Sequence, residues 1–356
     1  MKWAAGYMAG CPSSCSQMSL PVYIIRRLLF AIPLILGITV VSFIIANAIP
    51  ADPINANLPQ NALNDPELVA AFRERWGLDK SPVEQYFTYL GNLLQGDLGV
   101  SIKTKNPILE DIKQFLPATM ELATFSIIVG LIMGISFGVI SAVWRNSAMD
   151  YSVRVFALIG VSFPVFLLAL IGLTVFHAEL GWTAGPGRLG FLVKDPPHVT
   201  GWFTIDSLLA GQWDTFRDAL SHLVLPSLVL GGFVAGIIAR ITRSSLLEQL
   251  NADYVRTARS KGLHESVVIR KHALANALIP VVTIIGLLYG SLLAGAVLTE
   301  SIFAWPGLGR YVYRASTSQD FPAIMGVSML IALIYVAVNF VVDILYYFID
   351  PRIRFK

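Results

Sequence analysis

The sequence predicts an all-α polytopic membrane protein with six transmembrane helices, and three observations predict it. Hydrophobic residues occupy 55% of the 356 positions and charged residues 14%, where a soluble domain averages about 25% charged. Six apolar runs approach or exceed the roughly 20 residues that a helix needs to cross the hydrocarbon. Between them, Lys and Arg gather in alternate connections, as they do on the cytoplasmic side of a membrane. The net charge of +3 is too small to suggest a nucleic-acid partner. The bilayer is the partner that composition implies.

The runs extend from Leu28 to Ala48, Leu122 to Trp144, Val155 to Ala178, Ala219 to Ala239, Ala273 to Thr299 and Phe321 to Ile349. The first ends on Ala46-Asn-Ala48, which looks like a signal-peptidase site. Its run is too long for a signal h-region and five more follow, so it reads as an uncleaved anchor. The fourth is the weakest, because Pro226 and Gly231-Gly232 interrupt it. Both cysteines, Cys11 and Cys15, fall in the N-terminal tail, so no disulfide framework supports the fold. The chain therefore divides into a tail (1–20), a first span (21–48), an extracytoplasmic loop domain (49–117), a five-helix core (118–349) and a cytoplasmic C-terminal tail (350–356). The core includes a cytoplasmic loop, 240–277.

Orientation follows from the cations. Arg26 and Arg27 flank the first span, and Arg145 and Arg154 lie at the second connection. Arg240, Arg243, Arg256, Arg259, Lys261, Arg270 and Lys271 crowd the fourth, and Arg352, Arg354 and Lys356 close the chain. All fall on one side if both termini are cytoplasmic.

On the outside, Asp65-Pro66-Glu67 reads as an N-cap followed by proline at the first helical position. Ser81-Pro82-Val83-Glu84 is a capping box opening an amphipathic helix that ends near Gly96. A second outer loop, Gly181 to Arg217, either lines a pore mouth or anchors its aromatics at the interface. A third, Glu300 to Arg310, suits a tight turn packed at membrane level. Asp343 is the one plainly intramembrane acid and is expected to form a structural ion pair with Arg26 or Arg27. Glu121 and Glu300 are expected to lie at span ends without special role.

The most informative stretch is cytoplasmic: Tyr254-Val-Arg-Thr-Ala-Arg-Ser-Lys-Gly-Leu263. Ser245-Leu-Leu-Glu248 reads as a capping box that starts a helix after the fourth span. Asn251 is expected to cap a second, short helix from about Asp253 to Ser260, which Gly262 stops in a left-handed conformation. Glu265 then starts the next helix. Ala258 and Gly262 are small and four residues apart, so they offer close approach to another protein's backbone, with Arg256, Arg259 and Lys261 around that contact. A helix this short needs packing against something, and an exposed one suggests a partner's groove.

This loop resembles the signature cytoplasmic loop of ABC importer permeases, whose general form is Glu-Ala-Ala, three residues, Gly, then a later apolar-Pro pair. Arg256-Thr257-Ala258 occupies the triplet and Gly262 the glycine. The triplet matches only at its alanine, and Leu278-Ile279-Pro280 arrives late. Both departures look like the peptide-importer branch, where Tyr-x-Arg-Thr-Ala-Arg-x-Lys-Gly-Leu is usual. Ile49-Pro-Ala-Asp-Pro53, Gly96-Asp-Leu-Gly99, Thr242-Arg-Ser-Ser245, Asn276-Ala-Leu-Ile-Pro280, Thr299 to Arg310 and Asp350-Pro-Arg-Ile-Arg354 agree. The resemblance covers about Pro21 to Lys356.

That resemblance implies the type I ABC importer permease fold and a bacterial inner-membrane location. It implies a heterodimer with a homologous second permease, two ABC ATPase subunits below and an extracytoplasmic peptide-binding protein above. Tyr254, Arg256, Thr257, Ala258, Arg259, Lys261, Gly262 and Leu263 would form the ATPase-coupling helix. Dipeptides or short peptides would be the substrate; the same scaffold would also suit nickel chelates, glutathione or haem.

The chain carries no Gly-x4-Gly-Lys-Ser/Thr loop and no Gly-Lys dipeptide, so no cofactor or nucleotide site of that kind is expected and the chain is read as non-catalytic. His177, His198, His222, His264 and His272 have no metal-ligand spacing. A secondary transporter or channel would call for inverted repeats with discontinuous charged helices, and none is visible. Pore-lining faces are expected on the second, third and fifth spans, with no binding residue singled out.

Overall fold

A computed structural model describes residues 20–48, 54, 58, 62–76 and 79–349. Among them the chain is helical, with one isolated bridge between Val100 and Pro107. In order, the helices are α1 (Leu20–Ala48), α2 (Pro66–Trp76), α3 (Pro82–Leu94) and α4 (Ile108–Val143). A bent pair follows, α5 (Ala148–Ser162) and α6 (Val165–Glu179), then α7 (Phe203–Leu209), α8 (Trp213–Leu250) and the short α9 (Asp253–Ser260). A second bent pair, α10 (Glu265–Ala277) and α11 (Ile279–Gly295), leads through α12 (Val297–Ile302) and α13 (Leu308–Thr317) to α14 (Phe321–Ile349). Four helices are long and apolar enough to cross a membrane, and six spans result if each bent pair counts as one.

Local chemistry explains the small helices α2 and α3. Asp65 Oδ1 accepts the N–H of Glu67 at 3.0 Å, which starts α2. At α3 both halves of the capping box form: Ser81 Oγ accepts from Glu84 N, and Glu84 Oε2 accepts from Ser81 N. Together they satisfy two orphan donors of the first turn.

Three spans depart from their expected form. The second starts at Ile108, not Leu122, and runs through Pro117, so the connection between the first two spans and the core share one continuous helix. The third is not a single rod: it bends by 104° where Pro164 opens α6. The fifth bends by 49° ahead of Pro280, which sits in the first turn of α11. A proline without an N–H is tolerated where a helix begins and disruptive within it, so bends at these places follow from sequence chemistry.

The largest reversal concerns the fourth span. It is the longest helix, α8, unbroken through Pro226, and its apolar window is the most buried of the single-helix spans. Its glycines are contacts rather than interruptions. A Cβ on Gly231 would lie 3.0 Å from Ser126 O on α4, and one on Gly236 would lie 2.7 Å from Ala157 O on α5. From the facing side, Gly130, Gly134 and Gly138 of α4 meet Val234, Ile238 and Thr242 of α8, with built Cβ distances of 2.4, 2.7 and 2.5 Å. Small residues four apart let two backbones approach inside a membrane, where apolar burial gives little drive for helix association. The central core, including Leu122, Ile127, Leu223, Val234 and Ile238, forms along this seam.

The helix expected to start at Ser245 is instead the last stretch of α8, which continues to Leu250. The backbone of Asp343 is described but its side chain is not, so the pairing expected with Arg26 or Arg27 lies outside what is described, as do the N-terminal tail through residue 19 and the C-terminal tail from Asp350.

Candidate functional site

The short helix is where the sequence places it. α9 spans Asp253–Ser260, and Gly262 follows with φ +75°. A left-handed φ is favourable for glycine and costly for residues with a Cβ, so the stop belongs to this residue. The N-terminal cap differs from expectation. Asn251 Nδ2 donates back to Leu247 O at 2.8 Å, and the cap position is Ala252, without a side-chain hydrogen bond.

α9 has two faces. Val255 and Ala258 are buried against Ala142, Leu246, Val268, Ala273 and Ala277. Ala258, expected to offer a partner close approach, therefore does so for its own bundle, and its small side chain lets α9 lie against α8 and α10. Arg256, Thr257, Ser260, Lys261, Gly262 and Leu263 are exposed on the other side.

Polar ties from Arg259 and Tyr254 fix the helix. Arg259 makes a two-pronged contact with Glu265 of α10, Nε to Oε2 at 3.1 Å and Nη2 to Oε1 at 2.7 Å, while Nη1 donates to Leu250 O. The hydrogen bond to Glu265 holds the guanidinium's pKa above its ordinary value, against a small burial effect. Tyr254 OH donates to Gln249 Oε1 at 2.6 Å and accepts from Asn276 Nδ2 at 3.1 Å, so it bridges α8 and α10. Arg256 pairs only with its neighbour Asp253, at 3.6 Å and in the open.

The same end of the bundle is braced by Asp150. Its buried carboxylate accepts both Nε and Nη2 of Arg243 at 2.9 Å, along with Ser141 Oγ and Asn146 N. It thereby joins α4, α5 and α8 beneath the short helix. Multiple charge-assisted bonds to one buried carboxylate make a stiff joint.

At the opposite end lies an assembly that sequence reasoning missed. Glu121 and Glu300, expected to need no account, are both buried. Glu121 Oε1 accepts the N–H and hydroxyl of Thr204 at 2.9 and 2.7 Å, and Oε2 takes Arg188 Nη2. Arg188 also donates to Gly201 O at 2.9 Å and lies over the Phe203 ring, 3.6 Å from its centroid. Glu121 thus holds the start of α7 against α4.

Glu300 does the same for α13. Its Oε1 accepts from Thr119 Oγ1 at 2.6 Å and its Oε2 from the N–H of Arg310 at 3.0 Å. Trp305 Nε1 adds a bond to Ala118 O at 2.8 Å. The carboxyl fits because Gly307 and Gly309 lack side chains: a Cβ on Gly307 would stand 2.4 Å from Glu300 Oε1. Burial raises the Glu300 pKa to about 7, against the hydrogen bonds from Thr119 and the N–H groups of Arg310 and Gly309. The legible signal was an acid at the end of an apolar run followed by Gly307-Leu-Gly309, a room for a carboxylate at a helix start.

Comparison with known proteins places this architecture. Residues 134–355 match the family described as binding-protein-dependent transport system inner membrane component, and residues 20–123 match its N-terminal counterpart. The dipeptide transport system permease protein DppB of Alkalihalophilus pseudofirmus is 45% identical over 334 residues, covering 94% of this chain and 99% of that one. The probable D,D-dipeptide transport system permease protein DdpB of Escherichia coli is also 45% identical, covering 89% and 93%. A chain of the MetNI methionine ABC transporter, solved in inward-facing conformations, superposes with a TM-score of 0.52 at 18% identity over 68% of this chain and 98% of its own. The chain thus has a type I ABC importer permease fold. With family matches over both halves and relatives aligned nearly end to end, the chain belongs to the binding-protein-dependent transport system inner membrane component family.

Proposed function

We propose that this chain is the membrane subunit of an ATP-driven importer for dipeptides or short peptides, engaged by separate ATPases at α9. The substrate reading draws on relatives named for dipeptide and D,D-dipeptide transport. The observation that carries the coupling role is the two-faced build of α9: Val255, Ala258, Tyr254 and Arg259 lock it to α8 and α10, while Arg256, Thr257, Lys261 and Leu263 stay exposed. A lever transmits force only if it is stiff toward its own bundle and differently engaged by the partner in two states. In this reading both termini are cytoplasmic, and two ATPases sit below a heterodimer with a homologous second permease. An extracytoplasmic peptide-binding protein delivers substrate from above, and this chain supplies no catalytic residue.

Substitution of Gly262 by Asp tests the coupling. It places a Cβ at φ +75° and a negative charge on the exposed end of α9, a strain of roughly 1–2 kcal/mol that is too small to prevent insertion. The assembled transporter should lose substrate-stimulated ATP hydrolysis while the variant still reaches the membrane. Normal stimulation would remove the coupling role from α9. Affinity purification of the wild-type chain should bring down two ATPases and the sister permease.

A further inference from the structure

On α13, Arg310 and Arg314 lie one helical turn apart and so share a face. That face borders an outer cleft of about 620 Å³, which Lys103 also lines. The cleft also contains Phe115 and Tyr311, whose rings stack with centroids 5.1 Å apart. One carboxylate, Asp320, reaches the lining, but it is buried and committed. Its Oδ2 accepts from Ser101 Oγ and Lys103 N, and its Oδ1 from Ala323 N.

Among the described residues, no carboxylate forms an ion pair with Lys103, Arg310 or Arg314. Elsewhere Arg154, Arg188, Arg243, Arg256 and Arg259 each have one. Like charges one turn apart repel, and burial together with the Arg314 charge holds the Arg310 pKa below its ordinary value. Arg310 Nη1 donates to the Ala304 carbonyl at 2.8 Å, yet three cations that line one cleft without a paired carboxylate form a place that attracts an anion. The volume falls in the roughly 300–1,000 Å³ range of small-ligand sites. A recessed cavity with an aromatic wall suits a whole small molecule better than one side chain of a docking protein.

We propose that this cleft binds the free C-terminal carboxylate of a short peptide at the outer mouth of the permease, through Arg314, Arg310 and Lys103. Guanidinium forks match carboxylates in two-pronged geometry, and the Phe115–Tyr311 pair offers a surface for the peptide's side chain. The proposal rests on the peptide reading given above and adds a contact within the membrane subunit itself.

The test uses the assembled permease–ATPase complex in lipid nanodiscs, without the binding protein. Equilibrium dialysis with labelled dialanine and with its C-terminal amide reads the contact directly. Wild type should bind the acid about tenfold or more tightly than the amide, the scale of one charge-assisted bond. A Lys103→Gln, Arg314→Gln double variant, altered only at exposed positions, should lose that preference while its affinity for the amide stays unchanged. Equal binding of acid and amide to wild type would overturn the site. So would a double variant that keeps the preference. Dialanine uptake by the complete system separates the two ideas: uptake without carboxylate-selective binding defeats the cleft alone, and absence of uptake defeats the peptide reading on which it rests.

Discussion

The two ends of the bundle hold short helices by opposite means. At one end α9 rests on a small apolar face, and its charges are paired in the open, Arg259 with Glu265 and Arg256 with Asp253. At the other, α7 and α13 are fastened to α4 by the buried carboxylates of Glu121 and Glu300. An exposed pair is worth little because water competes for each partner. A buried carboxylate stripped of one partner is costly, because nothing replaces the lost bond. The end with Glu121 and Glu300 is therefore fastened by buried charge, whereas α9 is held by apolar packing with its charges left in the open.

The contrast predicts a graded series of effects. Glu121→Ala should be the most damaging, since it leaves Arg188 buried without its counter-ion; about 3–5 kcal/mol is expected, read as a large drop in the unfolding midpoint in detergent. Little change there would mean that this end is not fastened through the pair. Gly134→Val probes the seam between the two ends. With a Cβ only 2.7 Å from that of Ile238, it should cost about 1–3 kcal/mol by overpacking, measurable in the same assay. A neutral result would show that α4 and α8 can separate without penalty.

Glu300 adds a pH signature. Its folded pKa of about 7 lies above the ordinary 4.5, so between those values the folded state binds more protons than the unfolded one. Stability should therefore fall as pH rises from about 4.5 to about 7 and level off above, through this group. Glu300→Gln should flatten that part of the profile; unfolding midpoints from pH 5 to 8 report it, and an unchanged slope would reassign the effect. Arg259→Ala should be mildest, below about 1 kcal/mol, because its side chain is 41% exposed and its partner 53%. A loss as large as that of Glu121→Ala would abolish the distinction between the two ends.

Much of this was readable before any coordinates. Asp253–Ser260, the Gly262 stop and the Ser81 capping box depend on a few adjacent residues, and each was found as expected. The bends at Pro164 and Pro280 were readable in principle but hidden by the continuity of the apolar runs. The fourth span was misjudged because Pro226 and Gly231-Gly232 lower helix propensity locally. The packing value of Gly231 and Gly236 appears only when α4 and α5 lie alongside.

The sequence by itself determined a bundle of membrane-crossing helices, their order, and a short basic helix with a glycine stop, because periodicity, caps and charge bias are properties of neighbouring residues. Tertiary structure alone decided that Ala258 faces inward, that α8 lies at the centre, and that two acids at apparent span ends are buried. The physical reason is separation along the chain: Glu121 meets Arg188 67 residues away, and Thr119 meets Glu300 across 181. Whether a carboxylate is solvated or sealed depends on partners that only folding brings to it.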